Sequence, residues 1–221
     1  MWTRLMILSV LVTLASASSV YAQRVEASAL FGFTLSDGVE GDAFLAGDGN
    51  VYDTVDVKDS ASWGFALGFN ATDNFEVGFL FGQQLSTLAI EGTTTRELGD
   101  LTISTYHPYV AFNAGTMDAK VRPYVLFGFG ATNYGAVDFT RADGIATSTV
   151  SETQFSTTWG AGVKVFPAPG VGVRFGLHWT PTFIKSDAEG WWCDPYWGCY
   201  VVGNAQYSNQ WELSGGITLR F

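Results

Sequence analysis

Beyond residue 22 the chain has no run of 18 or more consecutive apolar residues, which excludes a membrane-spanning helix and leaves either a soluble fold or one that spans as strands. Only two histidines, His107 and His178, and two cysteines, Cys193 and Cys199, occur in 221 residues. No histidine accompanies the cysteines and their spacing is not that of a zinc motif, so neither a metal nor a CxxC-type redox centre is implied. Basic residues are scarce, 11 against 21 acidic, which excludes nucleic acid as a partner. The chain also lacks a Pro/Ser linker or charge block, so it reads as one domain. Gly160-Ala-Gly162 and Gly170-Val-Gly172 keep strand periodicity without a strand-to-helix step and are not phosphate loops. No cofactor is called for.

The amino terminus resembles a secretory signal: Met1 to Arg4 is a short positive region, Leu5 to Leu14 an apolar core, and Ser16 to Ala22 a small-residue stretch. Residues 1–22 are therefore expected to be a signal peptide and 23–221 the working domain, with Ala17 an alternative cleavage point. In an exported chain Cys193 and Cys199 are expected to form a disulfide.

Eight segments alternate apolar and polar residues with period two: 24–36, 60–71, 74–88, 100–113, 121–134, 153–166, 171–184 and 209–221. Their connections alternate in length. Residues 72–74, 114–120 and 167–170 are tight and rich in Gly, Pro, Asn and Asp, whereas 37–59, 89–99, 135–152 and 185–208 are long. A hairpin inside 37–59 would raise the strand number from eight to ten. The expected fold is an all-β, eight-stranded, antiparallel up-and-down transmembrane barrel with short periplasmic turns and long extracellular loops.

Charge parity supports a lipid-facing side. Trp63, Phe65, Leu67 and Phe69 share one face, as do Phe75, Val77, Phe79 and Phe81, and likewise Val173, Phe175, Leu177 and Trp179. Glu26, Glu76, Arg122, Lys164, Arg174, Glu212 and Arg220 all take the opposite parity of their strands. Seven agreements arise by chance roughly once in a hundred trials, so patterning is favoured. Leu30, Leu80, Tyr124 and Leu126 would point inward, and 101–113 is ambiguous, with Leu101, Ile103 and Tyr109 opposing Tyr106, Val110 and Phe112.

With a periplasmic amino terminus, Glu26, Glu76, Arg122, Lys164, Arg174 and Arg220 crowd one cross-section of the lumen, as an ion-pair plug or an anion-favouring constriction. The first long connection carries Asp37, Glu40, Asp42, Asp48, Asp53, Asp56 and Asp59. Asp48-Gly-Asn-Val-Tyr-Asp53 lacks the twelve-residue calcium pattern, so a solvated loop is expected there. The fourth surrounds its cysteines with Trp191, Trp192, Tyr196, Trp197 and Tyr200, an apolar knob that would pack over the mouth, lie in the interfacial belt, or bind an extracellular ligand.

The chain ends Gln210-Trp-Glu-Leu-Ser-Gly-Gly-Ile-Thr-Leu-Arg-Phe221, with Trp211, Leu213, Ile217, Leu219 and Phe221 on one face. This ending resembles the last strand of bacterial outer-membrane barrels, whose terminal aromatic residue is read by the assembly machinery. Together with the signal-like start and eight amphipathic strands, the chain resembles the small OmpA-like, OmpX-like and OmpW-like barrels, without a peptidoglycan-binding domain. The hairpin from Trp159-Gly-Ala-Gly-Val-Lys-Val165 is similar to their penultimate hairpins. The resemblance implies a bacterial outer-membrane location, lipid and lipopolysaccharide as neighbours, and a non-enzymatic role in envelope structure or surface interaction. A narrow OmpW-like channel is the alternative. Third stands a lipid-modifying enzyme, since His178-Trp-Thr180 distantly resembles the His-x-Ser of lipid A deacylase barrels, with Glu189 as an orienting acid.

Overall fold

The computed structural model of the chain describes residues 24–45, 50–140, 146–184, 193–194, 198–199 and 207–221, with the side chains of 40–45, 193–194 and 198–199 left undescribed. The strands are β1 (Val25–Ser36), β2 (Val39–Leu45), β3 (Val51–Val57), β4 (Ser60–Asn70), β5 (Phe75–Gly92), β6 (Arg96–Asn113) and β7 (Val121–Tyr134). They continue with β8 (Asp138–Thr140), β9 (Ala146–Ser148), β10 (Glu152–Ala168), β11 (Val171–Phe183), β12 (Cys193–Asp194), β13 (Gly198–Cys199) and β14 (Tyr207–Arg220). Eight of them, β1, β4, β5, β6, β7, β10, β11 and β14, pair each with the next. The first and last then join from Glu26↔Arg220 to Ser36↔Gln210, closing the antiparallel barrel. Closure removes the sheet edges that a lipid phase could not satisfy.

Alternation makes the wall. In β4, Ser62, Ala66 and Asn70 are buried while Trp63, Phe65, Leu67 and Phe69 are exposed, and each neighbouring strand repeats the pattern. The ambiguous strand resolves the same way: Leu101, Ile103 and Tyr109 point in, Tyr106, Val110 and Phe112 out. Two of the tight turns carry glycines at positive φ, Gly115 (92°) and Gly170 (81°), where a side chain would strain the backbone.

The long connections are less loop-like than their composition suggests. Residues 37–59 contain the β2–β3 hairpin, which continues the β1–β4 hairpin above the barrel and pairs through β3 with β5. It adds no member to the closed ring. Residues 89–99 are mostly strand, because β5 and β6 extend to a short turn at 93–95, with a register shift between Leu88 and Ala89. That bulge buries Leu88, Ala89 and Ile90 consecutively and so hides the period of two. On the extracellular side this extension encloses its own apolar core of Val39, Tyr52, Val55, Val57, Leu88, Ile90, Leu101, Ile103, Tyr134 and Val137.

Candidate functional site in the barrel lumen

Inward-facing side chains stack in layers from the periplasmic end. Glu26 enters from β1, and its carboxylate accepts hydrogen bonds from Lys164 (2.6 Å), Arg220 (2.9 and 3.2 Å), Arg122 (3.2 Å) and Asn70 (3.1 Å). Glu76, on β5, accepts from Tyr109 (2.6 Å) and Asn113 (3.0 Å) and pairs closely with Lys164. Arg122 also donates to the Asp73 carbonyl and Arg220 to that of Met117, which ties the layer to two periplasmic turns. The Arg220 guanidinium lies 3.7 Å from the Phe166 ring centroid.

All six charged residues expected in the lumen are thus brought together, with one difference. Arg174 sits a level deeper, where it makes no direct salt bridge among the described residues and feels the Glu76 carboxylate through space. Its Nε donates to the Tyr124 hydroxyl (2.9 Å) and its guanidinium lies 4.5 Å from that ring. Four cations facing two carboxylates leave the layer with a positive excess. Above it, Leu30, Ala66, Leu80, Tyr109, Ala111, Tyr124 and Leu126 form an apolar layer. Gly78 and Gly162 lack the Cβ that would collide with Tyr109 and Tyr124, which is how two tyrosines fit in so narrow an interior.

Higher still is a cavity of about 40 Å³, lined on its polar side by Ser62, Gln84, His107, Thr158, His178 and Glu212 among others. At roughly 10–15 Å³ per water it has room for about three waters. His178 Nδ1 stands 3.5 Å from Glu212 Oε1. His107 Nε2 shares a 2.9 Å hydrogen bond with Ser156 Oγ, which accepts from Thr132 (2.9 Å), which in turn accepts from Thr182 (3.1 Å). The extracellular apolar core closes the stack above the cavity.

The outer face carries aromatic rows. Phe127 packs on Trp159 with centroids 4.5 Å apart, and Trp179 stacks on Trp211 at 5.7 Å. Phe155, Phe183 and Tyr207 make a second row nearer the extracellular end. From Leu219 to Tyr207, β14 climbs roughly 30 Å at a barrel tilt of about 40°, enough to cross an apolar band of about 25 Å. The model of the outer membrane protein beta-barrel domain family matches residues 8–217. The chain belongs to that family.

It is accordingly a protein of the bacterial outer membrane. Among solved structures it resembles OprG from Pseudomonas aeruginosa, at 13% identity over 91% of this chain and 97% of that one, with a TM-score of 0.60. AlkL, solved in DMPC bilayers, is similar at 17% identity over 93% and 94%, with a TM-score of 0.52. These likenesses concern the fold alone. OmpT, an outer membrane protease of Escherichia coli, aligns at 9% identity over 93% and 99% with a TM-score of 0.42, too remote to carry an argument about activity. No curated protein sequence matches the chain.

Within this family barrel, His178 and Thr180 both face the lumen, where Thr180 donates to Thr158 (3.3 Å), so neither reaches lipid. Glu189 lies outside the described residues, as do residues 1–23, Asp48, and the aromatic knob of Trp191, Trp192, Tyr196, Trp197 and Tyr200. Cys193 and Cys199 face each other as backbone partners of β12 and β13, and their side chains, with the disulfide expected between them, lie outside the description. Phe221 closes the barrel seam by exchanging backbone hydrogen bonds with Val25 (2.9 and 3.2 Å). No group of three or more His, Cys, Asp or Glu among the described residues is placed to hold a metal ion. The charge parity missed the polar partners Asn70, Asn113, Tyr109 and Tyr124, and the Ser156–Thr132–Thr182 chain. Parity alone marks a polar residue as inward without saying whom it meets.

Proposed function

We infer that the protein is a non-enzymatic outer-membrane barrel with a side-chain-filled lumen, serving envelope structure or contact at its extracellular surface. The stack of ion-pair layer, apolar layer, small polar-lined cavity and apolar cap carries this reading. Each layer opposes solute passage for a different reason: bound charge, missing water, small volume and packed hydrocarbon. The extension built from β2, β3, β5 and β6 supplies an extracellular platform over a packed apolar core, and a pre-formed surface loses less entropy on binding a partner. Phe221 and its outward-facing neighbours suit recognition by the assembly machinery, and the lipid neighbours expected outside are phospholipid and lipopolysaccharide. The alternative, a narrow OmpW-like channel, is favoured by the positive excess around Arg174, which would attract anions.

Planar-bilayer recording separates the two. Purified protein is expected to insert without reproducible conductance steps, and stable open steps with anion selectivity would replace the closed-lumen reading by the channel. Closure of the barrel has its own check. Unboiled protein is expected to migrate faster than boiled protein on a denaturing gel, since the closed ladder resists detergent until heated, and identical migration would count against it.

A further inference from the structure

Between the periplasmic turns 114–120 and 167–170 lies a cleft of about 210 Å³, lined by Met117, Asp118, Lys120, Phe166, Pro167 and Arg220 among others. Backbone hydrogen bonds fix both walls: the Phe166 N–H donates to the Lys120 carbonyl and the Arg220 N–H to that of Gly170, each at 2.8 Å. The cleft is therefore pre-formed. Lys120 and Asp118 are exposed, whereas Phe166 and Arg220 are buried. Val121 and Val171, each adjoining one of the two turns, are exposed on the outer face. The cleft thus opens where the apolar band ends, at the depth of the inner-leaflet headgroups.

Arg220 has binding capacity to spare. Of its five N–H groups, two donate to Glu26 Oε1 and one to the Met117 carbonyl, so two have no acceptor among the described residues. Its charge is also incompletely matched, because Lys164 and Arg122 share the Glu26 carboxylate. A guanidinium cannot shed that charge by losing a proton. An anion in the cleft supplies both the acceptors and the negative charge. The Phe166 ring, 3.7 Å from the guanidinium, holds its plane in place.

We propose that this cleft is a phosphate site, open to phosphate groups from the periplasmic side. A planar guanidinium presents paired N–H groups to two oxygens of a tetrahedral anion, and Lys120, on the same cleft, adds a second cation for a third. A carboxylate has only two oxygens to offer. Ala119, Pro167 and Pro169 give the cleft an apolar side, against which the organic part of an ester rests. Asp118 is the opposing charge, and its exposure lets water screen it. Two sources carry this chemistry, the headgroup of an inner-leaflet phospholipid and free phosphate in the periplasm. The inference goes beyond the closed-lumen reading and does not rest on it, since the ligand stops on the periplasmic side of the ion-pair layer. A conducting barrel would carry the same site.

Heteronuclear NMR of the full chain in dodecyl maltoside, a phosphate-free detergent, tests it by following the Arg220 side-chain Nε–H and the Gly170 amide at constant ionic strength. Inorganic phosphate and dimyristoylphosphatidylglycerol are added separately. Saturable shifts are expected: saturation by inorganic phosphate alone assigns the free ion, and saturation by the lipid, alone or at lower concentration, assigns the headgroup. Lys120→Gln is expected to raise the half-saturating concentration about tenfold, and Asp118→Asn to lower it about threefold. Arg24→Gln removes a cation at the same end that does not line the cleft and is expected to leave it unchanged. Lys120 is exposed and its side chain makes no part of the ion-pair layer, so its loss leaves the barrel folded, as heat-modifiable migration will show. No saturation with either probe would overturn the proposal. So would equal saturation by acetate, an unchanged half-saturating concentration in Lys120→Gln, or an equal weakening in Arg24→Gln.

Discussion

Replacing Glu26 by glutamine is expected to destabilise the barrel by about 3–5 kcal/mol, read as a fall in the urea midpoint of unfolding from liposomes. The substitution keeps shape and one acceptor, and removes only the charge. Glu26 accepts hydrogen bonds from β4 (Asn70), β7 (Arg122), β10 (Lys164) and β14 (Arg220), so one carboxylate on the first strand ties together five of the eight members of the ring. Without its charge, four buried cations would share Glu76 alone. An uncompensated charge in a poorly hydrated interior costs far more than the pair gains, so breaking the pair is worse than never having built it. The double variant Glu26→Gln, Lys164→Met is accordingly expected to recover part of the loss. A drop below about 1 kcal/mol for Glu26→Gln would show the layer to be hydrated and weakly coupled.

The extracellular Lys58 supplies a contrast at the same distances. Its ammonium contacts Asp56 (2.7 Å) and Glu91 (2.6 Å), and those two carboxylates hold its pKa above the usual lysine range. It is also 37% exposed, so water and salt compete for every partner. Geometry alone would rank the Lys58 and Glu26 clusters alike; burial separates them.

The barrel was legible in the sequence because lipid imposes one rule on every strand. Phe65, Phe79, Phe175 and Leu213 obey it at different places in the chain, and each marks its own inside and outside. Knowing the faces excludes a slip of one residue, which would put Glu26 or Arg174 into hydrocarbon, but a slip of two keeps the parity, so the register itself was not legible. The extracellular extension was harder to see. Outside the membrane the rule lapses, acidic residues such as Asp53 and Asp56 share strands with core residues such as Val55, and a bulge at Leu88 breaks the alternation. Inside the lumen, sequence identified members without identifying pairs. Glu76 and Tyr109 meet at 2.6 Å because β5 and β6 share a curved wall, and nothing in either strand read alone assigns an inward tyrosine to a carboxylate. The apolar residues that seemed out of place, Leu30, Leu80, Tyr124 and Leu126, turn out to form a layer of their own.

A charge on the lipid side gives the second large effect, and depth sets its size. Leu213 lies six residues from Leu219 at the periplasmic end of β14 and six from Tyr207 in the outer aromatic row, so it sits near the middle of the apolar band. Its register partners Phe33 and Leu177 face out beside it, and it is 67% exposed, with lipid as its only remaining environment. Leu213→Arg is expected to destabilise the folded barrel by about 2–4 kcal/mol, whereas Tyr207→Arg at the rim is expected to lose about 0–1 kcal/mol because its guanidinium reaches the headgroups. The same unfolding measurement in liposomes checks both. If the two variants lose equal stability, burial of the outer face in hydrocarbon is not what holds these strands. Equal retention in detergent alone would leave depth untested, since a micelle deforms around a charge, so the bilayer must be the solvent. The adjacent Ser214 points into the lumen, and there lipid depth has no bearing: the response to a charge at 214 is expected to follow the polarity of its layer. Two neighbouring residues on one strand would then answer to two different solvents, which is the physical meaning of the alternation that runs through the chain.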